Sequence, residues 1–174
     1  ATLTVTVSTG PIPPVANNDS AETPANTPVT IPLTANDTDS DGTIDVTTVT
    51  LLDPVTGTPV TTLTIPGEGT YTVNPDGSVT FDPVNGFSGL VTPITYVVKD
   101  DEGNLSNPAT ITINVLPDVR DDIATTPAET PVAINVLGND TGTLLPSSVS
   151  PTSTPSHGSV SVDDEPTSPS FGQI

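Results

Sequence analysis

The chain has 174 residues, with 21 acidic side chains set against two basic ones, Lys99 and Arg120, for a net charge of −19. That balance excludes nucleic acid and binding to anionic membrane surfaces, because both need clustered Lys or Arg. Cys is absent, which removes disulfide staples and thiolate metal sites, and no apolar run approaches the roughly 18 residues of a membrane helix.

Leu, Ile, Val and Phe supply 45 residues, about 26%, above the roughly 20% typical of disordered chains. A folded, Thr- and Val-rich chain is therefore expected, with strands rather than helices, since β-branched side chains pack well on a pleated surface. An acidic surface suits solubility, high salt or divalent cations.

In chain order, Ala1–Val7 alternates as a strand. A second strand is expected near Val15–Ala21 and a third over Val29–Leu33. Further alternating runs cover Val46–Leu52, Val60–Ile65, Tyr71–Val73, Val79–Phe81, Ile94–Val98 and Ala109–Val115. Turn signals separate them: Pro24–Asn26, Asp53–Gly57, Pro66–Gly69, Asn74–Gly77 and Asp100–Asn104. In Asn74-Pro75-Asp76-Gly77 the proline presets φ and Gly77 takes the left-handed corner. No window has a helical period. The expected fold is all-β, as tandem immunoglobulin-like antiparallel β-sandwiches. Ile31, Leu33, Leu51, Tyr71, Val73, Phe81, Phe87, Tyr96 and Ile111 belong to the predicted core, with Val29 beside them.

The chain repeats itself. Asn18–Thr38 and Asp121–Thr141 align without gaps at an offset of 103 residues, with 12 of 21 positions identical. The shared frame holds Thr-Pro-Ala, Thr-Pro-Val and Asn-Asp-Thr. Ala1–Val7 likewise matches Ala109–Val115. The expected organisation is therefore the last strand of a preceding repeat over 1–8, a complete repeat over 12–117, and the first part of a following repeat over 118–174. The linkers differ: eleven residues separate Val7 from Asp19, and six separate Val115 from Asp122.

The run TPVTIPLTANDTDSDG, followed by Gly67-Glu68-Gly69-Thr70-Tyr71, Asn74-Pro75-Asp76-Gly77, Phe81-Asp82-Pro83 and Gly86-Phe87-Ser88-Gly89, resembles the CshA-type fibril repeat of bacterial surface adhesins. It is also similar to the wider group of bacterial Ig-like and cadherin-like repeats of giant adhesins. The resemblance covers nearly all of 12–117. It departs after Asn139-Asp140-Thr141, where Gly142-Thr143 follows, and His157–Val162 looks more like a plain bacterial Ig-like repeat. The resemblance implies a long β stalk projecting from a cell, extracellular or secreted, with ligand binding in another domain.

One constellation points to chemistry. Asp37-x-Asp39-x-Asp41-Gly42-x-Ile44-Asp45 copies the first nine positions of an EF-hand loop, in which alternate carboxylates converge on a hard cation. Thr48 stands where the closing Glu belongs, and strands flank the loop, so it is not an EF-hand. If strands alternate up and down, this loop shares a pole with Asp19 and with Asp100-Asp101-Glu102. The expected calcium ligands are Asp37, Asp39 and Asp41, with Asp45, Asp100, Asp101 and Asp19 as additional ligands. The bland alternative is a solvated acidic loop with Asx-turns. The next junction carries Asp118, Asp121, Asp122 and Asp140 but no such loop.

Catalysis has little support: the single histidine is His157 and no cysteine can act as nucleophile. Lys99, the single lysine, is more simply a surface residue near acids than half of an isopeptide crosslink. The expected role is that of stalk or spacer repeats extending a binding region away from the cell, with neighbouring repeats of the same chain as partners. The alternatives are repeats that bind a glycan or partner protein directly, or part of a mobile motility adhesin.

Overall fold

The computed structural model describes residues 10–162; the strand expected at Ala1–Val7 lies outside the described residues. Ten strands form: β1 Asp19–Pro24, β2 Val29–Ile31, β3 Ile44–Leu52, β4 Pro59–Val60, β5 Thr62–Ile65, β6 Gly69–Val73, β7 Val79–Pro83, β8 Gly89–Leu90, β9 Ile94–Asp100 and β10 Ala109–Leu116. They make an all-β sandwich of two sheets. One has the order β1-β10-β9-β3-β4, with β8 also on β10, and the other the order β2-β7-β6-β5. Helical structure among the described residues is limited to two single 3-10 turns, Leu33–Ala35 and Pro146–Ser148.

Local chemistry sets the boundaries. The expected strand near Val15–Ala21 begins only at Asp19, and Val15 makes just an isolated bridge to Thr38. Pro13 and Pro14 lack the N–H a ladder needs. The run from Val29 stops at Ile31 because Pro32 cannot donate, and Ala35 N turns back to Pro32 O at 3.1 Å. The Asn74–Gly77 turn forms as its residues require. Gly77 has φ +80, and a Cβ there would meet Val46 O at 2.7 Å.

One pairing departs from an antiparallel sandwich. β1 runs parallel to β10, in a continuous register from Asp19↔Ile111 to Pro24↔Leu116. The other strand pairs are antiparallel. Neighbours joined by a hairpin must be antiparallel, but β1 and β10 are separated by the rest of the repeat and carry no such constraint. The chain therefore enters at one pole and leaves at the other.

The core lies between the sheets. Tyr71, Tyr96, Phe81, Leu33, Leu51 and Ile111 are among its largest fully buried side chains. Tyr71 and Phe81 face each other across β6 and β7 with ring centroids 4.6 Å apart and planes at 49°, a tilted contact worth about 0.5–1.5 kcal/mol beyond its area. Gly69 lies flat against the Phe81 ring, where any Cβ would collide. Val29, Val73 and Phe87, expected inside, are only partly buried against the core, while Ala16, Ala25, Val91 and Ala109 belong to the buried cluster.

Candidate functional site

At the upstream pole the Thr38–Ile44 loop, the β9–β10 hairpin and residues 10–18 meet. Val15 N donates to Thr38 O at 2.7 Å, Asp101 N to Thr43 O at 2.9 Å, and Ile12 N to Asp41 Oδ2 at 3.0 Å. The three acidic segments expected to share a pole do so. Their side chains separate into two groups.

The first is centred on Tyr96, fully buried near the middle of β9. Its hydroxyl lies 2.9 and 3.0 Å from the two Asp37 oxygens, 3.0 Å from Asn17 O and 3.2 Å from Leu33 O. One proton among acceptors goes to the charged one, so Tyr96 donates to Asp37. Asn17 N donates to Asp37 Oδ1 at 2.8 Å, and Asn36 Nδ2 donates to both Asn18 O and Asp19 Oδ1 at 3.1 Å. Asp19 Oδ2 is buried with no hydrogen-bond partner. Burial, with the neighbouring Asp37 charge, pushes the Asp19 carboxyl up to about 6. Burial also raises Asp37, against the hydrogen bonds from Asn17 and Tyr96. Burial first, and then these carboxylates, hold the Tyr96 phenol well above its usual range.

The second group is the acidic loop proper. Asp41 N donates to Asp39 Oδ1 at 3.4 Å, and Thr43 N to Asp101 Oδ1 at 2.9 Å. Asp39 Oδ2 is buried and unpartnered. A Cβ on Gly42 would stand 2.6 Å from Asp101 Oδ1 and 2.8 Å from Asp39 Oδ2, so both carboxylates close on the space that glycine leaves free. Desolvation, followed by the charges of Asp41, Asp100, Asp101 and Asp39, raises Glu102.

The remaining two candidate ligands have other work. Asp100 accepts from the backbone N–H of Glu102 and Asn104 and from Asn104 Nδ2, at 2.8–3.0 Å. Desolvation pushes its carboxyl up, but these bonds outweigh it and hold the group below its usual range. Asp45 accepts from Thr47 N at 3.1 Å and Thr47 Oγ1 at 2.6 Å, opposite exposed Lys99 in the β3–β9 register. Among the described residues no group of three or more carboxylates converges as a ready metal cage.

Tyr96 is the functional residue that sequence reasoning assigned only to the core. The signal was available, because a buried tyrosine must send its hydroxyl to a partner, and Asn-Asp loops at the same pole offered one.

Residues 11–115 match the family model of the surface adhesin CshA repetitive domain, a span that contains nearly the whole sandwich. The chain belongs to the CshA repeat family. No curated protein matches it. Among solved structures it is similar to the Clostridium thermocellum CbhA fibronectin(III)-like modules, at 20% identity and a TM-score of 0.35. That likeness covers 59% of this chain, which spans 46% of the matched structure.

Part of the pole of the CshA repeat is built a second time. Bonds at 103 residues' offset recur: Asp118 N to Thr141 O at 2.8 Å for Val15 to Thr38, and Arg120 N to Asp140 Oδ1 at 2.7 Å for Asn17 to Asp37. Asn139 Nδ2 to Asp121 O at 3.1 Å repeats Asn36 to Asn18. Arg120, at the position of Asn17, adds an ion pair to Asp118 at 2.8 Å.

Proposed function

We propose that this segment is a stalk or spacer piece of a large bacterial adhesin, cell-surface or secreted, that extends a binding region away from the cell. Membership of the CshA repeat family makes it a surface adhesin repeat. The single observation that carries the spacer reading is the parallel pairing of β1 with β10. Because first and last strands point the same way, each repeat adds its length to the next instead of folding back. β10 has eight residues, so one repeat contributes at least about 26 Å at roughly 3.3 Å per residue. The proposed role is mechanical rather than catalytic. Residues 118–174 are read as the first part of a following repeat, and 1–8 as the last strand of a preceding one. A glycan-binding surface would call for exposed aromatic side chains, and Tyr71 and Tyr96 are both fully buried.

Small-angle scattering from chains of two, four and eight such repeats tests this. The maximum dimension is expected to grow linearly by at least about 26 Å per repeat. Growth as the cube root of mass, the mark of a globule, would overturn the spacer reading.

We propose further that calcium binds the acidic loop and stiffens this pole. What supports it is the buried, unpartnered Asp39 Oδ2 facing Asp101 Oδ1 across Gly42. Asp41, at present bonded to Ile12 N, would turn to complete a set of oxygens. Asp37, Asp45 and Asp100 are occupied by protein donors, and Asp19 lies in the Tyr96 group. Calorimetry is expected to show a melting temperature lowered by chelator in the wild type and insensitive to chelator in Asp39→Asn. Equal melting with calcium and with chelator in the wild type would remove the ion from the mechanism.

A further inference from the structure

The turn after Asn139-Asp140-Thr141 does not stand free of the sandwich. Thr143 N donates to Ser88 Oγ at 2.6 Å, in the loop that leads into β8. Gly142 lies against the same residue with φ +111, and a Cβ on it would stand 2.8 Å from Ser88 Oγ and 3.0 Å from Ser88 Cβ and Pro117 Cα. Both the backbone angle and the space require glycine.

The position 103 residues upstream of Gly142 is Asp39. It is absent from the residues with positive φ, and its chain runs on into the acidic loop. Ile12, which bonds Asp41 there, corresponds in the repeat frame to Val115. Val115 is still inside β10. At the downstream junction the last strand thus runs almost directly into the next repeat. At the upstream one, Gly10-Pro11-Ile12-Pro13-Pro14 occupies the equivalent stretch.

We infer that the residue following Asn-Asp-Thr selects between two kinds of junction. Gly142 lets the following segment dock on the Ser88 loop of the repeat before it. Asp39 excludes a contact of that kind and leaves the spacing to a proline-rich linker. Counted in sequence from Val7, the upstream linker is five residues longer, eleven against six; five residues of extended, proline-rich chain span up to roughly 15 Å. The docking surface is the Gly86–Gly89 loop with its Ser88 hydroxyl, and its partner is a glycine-bearing turn of the next repeat. The selector operates whether the array is a spacer or binds ligand itself.

Amide hydrogen exchange on the 174-residue chain tests the inference. The Thr143 amide is expected to be protected, and Ser88→Ala and Gly142→Asp are each expected to lower that protection at least tenfold. Gly158→Asp controls for backbone strain alone, since Gly158 has φ +96 and nothing within 4 Å of a would-be Cβ; it should leave Thr143 unchanged. The Val91 amide, bonded to Ile113 O at 2.9 Å, should keep its protection throughout and report an intact sandwich. An unprotected Thr143 amide in the wild type, full protection in Ser88→Ala, or an equal loss in Gly158→Asp would overturn the selector.

Discussion

Residues 19–38 and 122–141 carry the same frame and reach different ends. In both, the first Thr of Thr-Pro-Ala bonds forward across the turn: Thr23 Oγ1 to Thr27 O and Thr126 Oγ1 to Thr130 O, each at 2.6 Å. In both, a non-glycine residue at the corner takes positive φ, Asn26 at 61° and Glu129 at 58°. Beyond the turn they part. Val29–Ile31 is a strand because β7 pairs with it, whereas Val132–Ile134 has the same alternation and forms no strand. Ile31 is 4% exposed, while its counterpart Ile134 is only half-buried; Val29 is half-buried, while its counterpart Val132 is exposed. The turn and the polar clasp follow from a few neighbouring side chains. The strand follows from a partner sheet some fifty residues away in sequence.

The largest expected effect tests that division. Phe81→Ala removes a fully buried ring from β7 and should cost about 3–5 kcal/mol in urea denaturation. Val132→Ala should change the unfolding midpoint by less than the equivalent of about 0.5 kcal/mol, because the residue is exposed and lies outside the buried core. A comparable loss at Val132 would mean that the second segment has a core of its own.

A smaller effect separates two buried hydroxyls. Tyr96→Phe removes the donor to Asp37 and should destabilise by about 1–3 kcal/mol, since a half-buried carboxylate loses a charge-assisted hydrogen bond. The Tyr71 hydroxyl is buried without one. Tyr71→Phe should therefore be neutral or slightly stabilising. Equal costs by chemical denaturation would show that Tyr96 acts as filler and not as a clasp.

The smallest effect is a pH dependence. Asp19 titrates near 6 in the folded chain against its ordinary 3.8. Between those values the folded chain holds more protons than the unfolded one, so this group favours folding as pH falls through 6 and disfavours it above. Asp19→Asn should raise the melting temperature at pH 7 relative to wild type and flatten its rise toward pH 4. Asp122→Asn, the exposed counterpart in the second segment, should leave the profile unchanged. Identical profiles for wild type and Asp19→Asn would show that Asp19 does not set this dependence.

Much of the fold could be read from alternation and turn chemistry, because runs such as Leu63–Ile65 and Ala109–Val115 have strict period two and the Asn74–Gly77 turn follows from its proline and glycine. The parallel β1–β10 pair was not legible, since residue pattern along a strand carries no direction. Nor was β8, whose two residues are too short to alternate. At the pole, the sharing of one site by three acidic segments was legible from strand alternation. Its division was not: whether Asp37 faces Asp39 or Tyr96 depends on side-chain directions in the loop after Leu33–Ala35, which the residue pattern does not carry. Asp45 and Asp100 read as metal ligands because a carboxylate that accepts from nearby amides looks, in sequence, like one that awaits a cation.

Tension on the array would reach each repeat through its two terminal strands. Pulled from opposite poles, β1 and β10 slide along each other instead of peeling apart. All six register pairs from Asp19 to Pro24 then bear load together, where an unzipping hairpin would present its bonds one at a time. A small, aromatic-poor sandwich can in this way resist shear far better than the size of its core suggests.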